Sequence, residues 1–108
     1  MKVYNKLVRD KIPKIIIDNG EKPIIRILLD YEYEQELLKK LNEEYEEVLS
    51  AKENDDLIEE CADMLEVLLA LIELKGYNME DLLRTREEKN IKRGGFKQKI
   101  FLESVDKE

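Results

Sequence analysis

The sequence predicts an all-α fold: a helical bundle around an antiparallel helix pair, with a minor two-strand element, completed by dimerisation. Three observations predict it. Two long stretches with apolar residues at helical spacing, 30–51 and 56–75, are separated by the short polar segment Lys52-Glu53-Asn54-Asp55-Asp56. The composition, 43% hydrophobic and 42% charged, suits solvated helices around a modest core. The second stretch is apolar over most of its circumference from Leu57 to Leu74, and a helix of that kind must be buried on most sides. At 108 residues the chain is expected to be one domain, 1–108, too small to bury that helix alone. A second copy is expected to cover it, in a dimer or a dimer of dimers.

Each element has its own signal. Pro13 suits the first turn of a helix that Asn19-Gly20 stops. Lys22–Leu28 is β-branched between turn residues and reads as a short strand. The second helix follows an Asp30 cap and runs to about Ala51. Asp56, with Glu59 three residues on, forms a capping-box-like start for the third helix, which ends at Gly76. Asn78 caps a fourth helix that runs to Arg93 and stops at Gly94-Gly95. The tail from Phe96 to Val105 is a second candidate strand, able to pair with residues 24–28.

The composition excludes several chemistries. There is no histidine, so no Ser-His-Asp or Cys-His system exists and no His-based zinc site. The single cysteine, Cys61, forms no internal disulfide and reads as a small buried hydrophobe. Any metal must be held by oxygen, which favours Mg2+, Mn2+ or Ca2+. No apolar stretch approaches the roughly 20 residues that span a bilayer, and residues 1–6 lack the apolar core of a signal peptide. A cytoplasmic location is expected.

The net charge of −7 is segregated. Residues 1–29 hold seven basic and three acidic side chains, residues 30–88 six and twenty, and residues 89–108 six and three. Basic ends around an acidic centre suit a cation together with a polyphosphate, although long solvated helices are also rich in Glu. The overall acidity disfavours a nucleic-acid polymer as partner.

The acidic centre contains Glu43-Glu44-Tyr45-Glu46-Glu47 on the second helix and Glu60-Cys61-Ala62-Asp63 on the third. A spacing of three places Glu44 with Glu47, and Glu60 with Asp63, on one face of each helix. In an antiparallel hairpin Glu47 and Glu60 lie equally far from the loop centre, as do Glu44 and Asp63, so all four carboxylates can converge. Glu60 and Asp63 border the apolar positions Val67, Ala70, Leu71 and Leu74, and Glu44 sits beside Leu37 and Val48, whereas Glu43 and Glu46 point to the wetter side. Carboxylates 4 Å apart repel by about 4 kcal/mol per pair at an effective dielectric of 20. A divalent cation relieves that repulsion.

An E-E-x-x-E followed after twelve residues by E-x-x-D resembles the all-alpha nucleoside triphosphate pyrophosphatases, the superfamily of MazG, dimeric dUTPase and phosphoribosyl-ATP pyrophosphohydrolase. Residues 4–13, Tyr-Asn-Lys-Leu-Val-Arg-Asp-Lys-Ile-Pro, and 92–96, Lys-Arg-Gly-Gly-Phe, are similar to the two ends of a stand-alone MazG-like subgroup. The resemblance implies Mg2+-dependent hydrolysis of an NTP or dNTP at the α–β bond, giving a monophosphate and pyrophosphate. It implies Glu44, Glu47, Glu60 and Asp63 as catalytic metal ligands, with Mn2+ as a possible substitute. With no histidine, a water deprotonated by a nearby glutamate is the expected nucleophile.

Lys6, Arg9 and Lys11, ahead of the first helix, are placed to reach phosphate oxygens. Lys92 and Arg93 are further candidates, although cations at a helix C-terminus also serve the helix itself. Tyr4, Tyr31, Tyr33, Tyr45, Tyr77, Phe96 and Phe101 are the aromatic candidates to stack on a base. Two alternatives stand beside this reading. One is phosphoribosyl-ATP pyrophosphohydrolase of histidine biosynthesis; the other is a non-catalytic helical interaction module whose acids form a solvated face.

Overall fold

The structure, a computed structural model, describes residues 1–107. It contains four α-helices: α1 (Ile12–Asp18), α2 (Asp30–Ser50), α3 (Asn54–Leu74) and α4 (Met79–Arg93). The chain divides into two compact units, Met1–Gly76 and the part from Tyr77 onward.

In the first unit α2 and α3 pack on each other, joined by the three-residue connection 51–53. Glu34, near the start of α2, pairs with Lys75, just beyond α3, at 2.6 Å, so the helices run antiparallel over their length. Their seam holds the two buried apolar residues, Leu37 of α2 (3% exposed) and Val67 of α3 (8%). Gly76 ends the hairpin at φ +91°, a conformation that glycine adopts without strain.

The expected helix starts shift. Leu29, not Asp30, is the N-cap of α2, and Glu32 accepts its backbone N–H at 3.3 Å. Glu32 also pairs with Arg26 at 3.0 Å. The third helix begins at Asn54 with Glu53 as an uncapped N-cap, so Asp56 lies within its first turn. There its charge opposes the positive end of the helix dipole, a role that asks for acid without asking for a cap.

The predicted two-strand element does not form among the described residues. Ile24, Ile25 and Ile27 are 61–89% exposed. Residues 24–28 carry apolar side chains on both faces, so a ladder there would need cover on both sides, and two strands alone are marginal in water. Around Phe96 the chain turns, with the Lys99 N–H donating to the Phe96 carbonyl at 3.0 Å.

Cys61 is exposed rather than buried. It shares a face of α3 with Leu57 (43% exposed), Ile58 (67%), Leu65 (43%) and Leu68 (36%), centred roughly 130° from Val67 at about 100° per residue. No helix is long and apolar enough to cross a membrane.

In the second unit α4 has the boundaries its sequence predicts. Asn78 Oδ1 accepts the Asp81 N–H at 3.0 Å, and Asp81 accepts the Asn78 N–H at 2.9 Å. This reciprocal box satisfies two donors that a helix start otherwise leaves unpaired.

Candidate metal centre

The hairpin brings three of the four predicted acids, Glu44, Glu60 and Asp63, together, and leaves Glu47 outside that cluster. One carboxylate oxygen from each of Glu44, Glu60 and Asp63 lies within 4.8 Å of the others. Glu47 stands beside them: with Glu60, Ser50, Ala51 and Asp56 it lines a cavity of about 180 Å³ at the loop end of the hairpin. Glu43 leans away and pairs with Lys40 at 3.2 Å, and Glu46 is exposed.

Packing explains the electrostatics. Burial near the α2–α3 seam raises the proton affinity of Glu44 above the usual carboxylate range, and the charge of Asp63 raises it further. Glu60 is raised by partial desolvation and then by the charges of Glu47, Asp63 and Glu44. Mutual repulsion of this kind is what a bound cation would remove.

The donor set fits a hard divalent cation. Oxygens bound to one Mg2+ at about 2.0–2.1 Å lie no more than about 4.2 Å apart, so small side-chain rotations would bring the three clustered oxygens into range. The cluster already draws a cation from the chain, since Arg9 Nη2 donates to Asp63 Oδ1 at 2.7 Å.

Of the predicted basic residues, Arg9 therefore reaches the acidic centre. Lys6 and Lys11 flank it in sequence, are exposed, and make no ion pair among the described residues. Lys92 and Arg93 form the last turn of α4 in the second unit. Ser50 and Lys40 are not singled out from the sequence, and Asp56 only as a helix cap; Ser50 and Asp56 line the cavity, and the charge of Lys40 lowers the proton affinity of Glu44. Lys40 was open to inference, lying one turn before Glu44. The contact of Arg9 with Asp63, 54 residues on, carries no periodic signal.

The hairpin thus gathers acids from both arms into one all-α acidic centre, with a guanidinium laid on one of them. The chain belongs to the phosphoribosyl-ATP pyrophosphohydrolase family, within the MazG-like all-α nucleoside triphosphate pyrophosphatases; the family's model matches residues 26–90, which hold α2, α3 and all four acids. A phosphoribosyl-ATP pyrophosphatase of Clostridium acetobutylicum is 31% identical over 91 residues, covering 79% of this chain and 83% of the relative. An uncharacterised protein of Mycolicibacterium smegmatis is 44% identical over 54 residues, or 50% of this chain. The chain spans 55% of that relative's length. No solved structure matches.

Proposed function

We propose that this protein is a Mg2+-dependent pyrophosphohydrolase that splits the α–β anhydride bond of a nucleoside triphosphate, ribo or deoxy, releasing the monophosphate and pyrophosphate. The observation that carries the reading is the convergence of Glu44, Glu60 and Asp63 from facing turns of α2 and α3, inside the segment that the family model matches. Glu44, Glu47, Glu60 and Asp63 would hold Mg2+, or Mn2+ in its place. When bound there, such an ion would acidify a water and neutralise charge on the leaving pyrophosphate.

The chain's own groups do the rest. A glutamate of the cluster with an oxygen not engaged by the ion would take the proton that water gives up as its oxygen attacks the α-phosphorus. The α–β bridging oxygen leaves with pyrophosphate. Arg9, with Lys6 and Lys11 on the same segment, is the source of positive charge for the phosphates; a guanidinium offers a planar fork of donors to them.

The family match and the Clostridium acetobutylicum relative favour a second reading, phosphoribosyl-ATP as substrate, which presents the same triphosphate and the same bond. A panel of NTPs, dNTPs and phosphoribosyl-ATP with Mg2+, scored for products, separates the two. Turnover of several triphosphates to monophosphate and pyrophosphate supports the first reading, and turnover confined to phosphoribosyl-ATP selects the second. Diphosphate and orthophosphate as products would contradict both.

The assembly we propose is a homodimer or a dimer of dimers. The exposed stripe Leu57–Cys61–Leu65–Leu68 on α3 supports it. Full burial of an aliphatic side chain is worth about 1.5–3 kcal/mol, and a second copy is the simplest cover for these. Nucleotide substrates and a lone cysteine fit a cytoplasmic setting.

A further inference from the structure

We propose that the groove along α4 is a nucleotide-binding subsite that works without metal, holding a polyphosphate on Arg86 and Lys89 and a base against Phe96. This deepens the proposed function, and the ligand class rests on that reading.

The groove lies wholly within the second unit. It is an open groove of about 560 Å³ along one face of α4, continued by Gly94, Gly95 and Phe96. That volume is in the range of small-molecule sites, about 300–1,000 Å³. Leu82 and the ring of Phe96 give it an apolar wall, and Arg86, Lys89 and Arg93 line it with positive charge.

The placement of charge on α4 is selective. At about 100° per residue, Arg86, Lys89 and Arg93 fall within a 60° sector. Glu80, Asp81, Glu87 and Glu88 fall on the opposite half of the helix. None of the three cations makes an ion pair among the described residues, whereas Arg84, on the acidic side, is held by Asp81 at 2.6 Å. A solvated helix with intermixed charge would pair them at spacings of three and four. Here the cations are left for something outside the helix.

Phe96 supplies an independent sign. Its ring is 97% exposed at the edge of the same groove. An aromatic face in water next to unpaired guanidinium groups suits a planar, electron-rich ring with an anionic tail. Two features set the direction of such a ligand. The C-terminal end of α4 carries partial negative charge, which opposes a phosphate beside Arg93. Arg86 lies seven residues back, about 10 Å along the axis, beyond the reach of that effect. The phosphates therefore belong with Arg86 and Lys89, and the base with Phe96.

Removing the metal isolates this groove, because the clustered carboxylates of Glu44, Glu60 and Asp63 repel a free triphosphate. Equilibrium dialysis of the full chain with ATP in excess EDTA should show saturable binding. Arg86→Ala with Lys89→Ala should weaken it at least tenfold, and Lys14→Ala, which removes an exposed cation of the first unit paired with Asp18, should leave it unchanged. Phe96→Ala should weaken ATP and adenosine about tenfold, the scale of one lost base–aromatic stack, and leave tripolyphosphate binding as it was. Absence of saturable ATP binding in EDTA, or wild-type affinity in the Arg86→Ala/Lys89→Ala protein, would overturn the proposal. Mg2+-dependent turnover is scored separately: its absence counts against the pyrophosphohydrolase reading and leaves the EDTA result standing.

Discussion

In the proposed centre, Arg9 and a divalent cation would compete for one carboxylate. In this structure Arg9 donates to Asp63 at 2.7 Å, with both side chains partly open to water. An exposed pair of this kind contributes only about 0–1 kcal/mol, so a divalent ion displaces it readily and frees the guanidinium for phosphate. Arg9→Ala should therefore tighten Mn2+ binding by up to about fivefold while raising KM for the triphosphate; calorimetric titration and steady-state kinetics on one preparation check both. Weaker Mn2+ binding would show that Arg9 organises the acids instead of competing for them. Glu44 and Glu60 lead to a pH prediction. Both have their folded proton affinity raised, so the folded protein binds more protons than the unfolded chain between the ordinary value of 4.5 and their raised values. Stability then falls as pH rises through that window. Glu32 and Asp81 have the opposite shift, and their contribution is lost only below their ordinary values of 4.5 and 3.8. Thermal melts of metal-free protein should show Tm rising as pH drops toward 4.5. Saturating Mg2+ should flatten the trend, and a Tm that falls over this window in metal-free protein would contradict it.

At the scale of elements, legibility followed the chemistry of helix ends. Asn78 with Asp81, and Gly94 after Arg93, are end signals that act through hydrogen bonds or a permitted backbone conformation, and α4 has the predicted limits. Asn78→Ala should cost about 1 kcal/mol, read as a fall in chemical-denaturation midpoint, with Asn78→Ser recovering most of it. The start of α3 was misplaced because Asp56 and Glu59 imitate a capping box, while acids in a first turn are favoured by the dipole alone. The strands were misplaced for a different reason: β-branched composition states a preference, but pairing depends on partners that local sequence does not specify. Glu44, Glu60 and Asp63 were legible because helical period and hairpin register are both arithmetic. Cys61 is exposed in the single chain, and a helix apolar on most sides does not disclose which side its own chain covers and which is left for a second copy.

At the scale of the whole molecule, the exposed stripe of α3 and the acidic centre are two faces of one helix, so the proposed assembly and the proposed chemistry would depend on the same element. Light scattering should report at least twice 12.8 kDa at micromolar concentration. Leu65→Glu, which sets a charge in the stripe, should shift the protein toward monomer without touching an acid of the centre. A wild-type mass of 12.8 kDa across that range would contradict the assembly. The central claim, that the α2–α3 hairpin is a carboxylate-held cation centre, has a more direct test that needs no substrate. Mn2+ binding is followed by electron paramagnetic resonance in wild type, Asp63→Asn and Glu46→Gln, each first shown to be folded and assembled. One saturable site per chain is expected in wild type, weakened by an order of magnitude or more in Asp63→Asn, which removes a charge from the cluster. Glu46→Gln, altering an exposed acid outside it, should bind as wild type does. Equal affinity in all three proteins, or no saturable site in wild type at millimolar Mn2+, would contradict the claim.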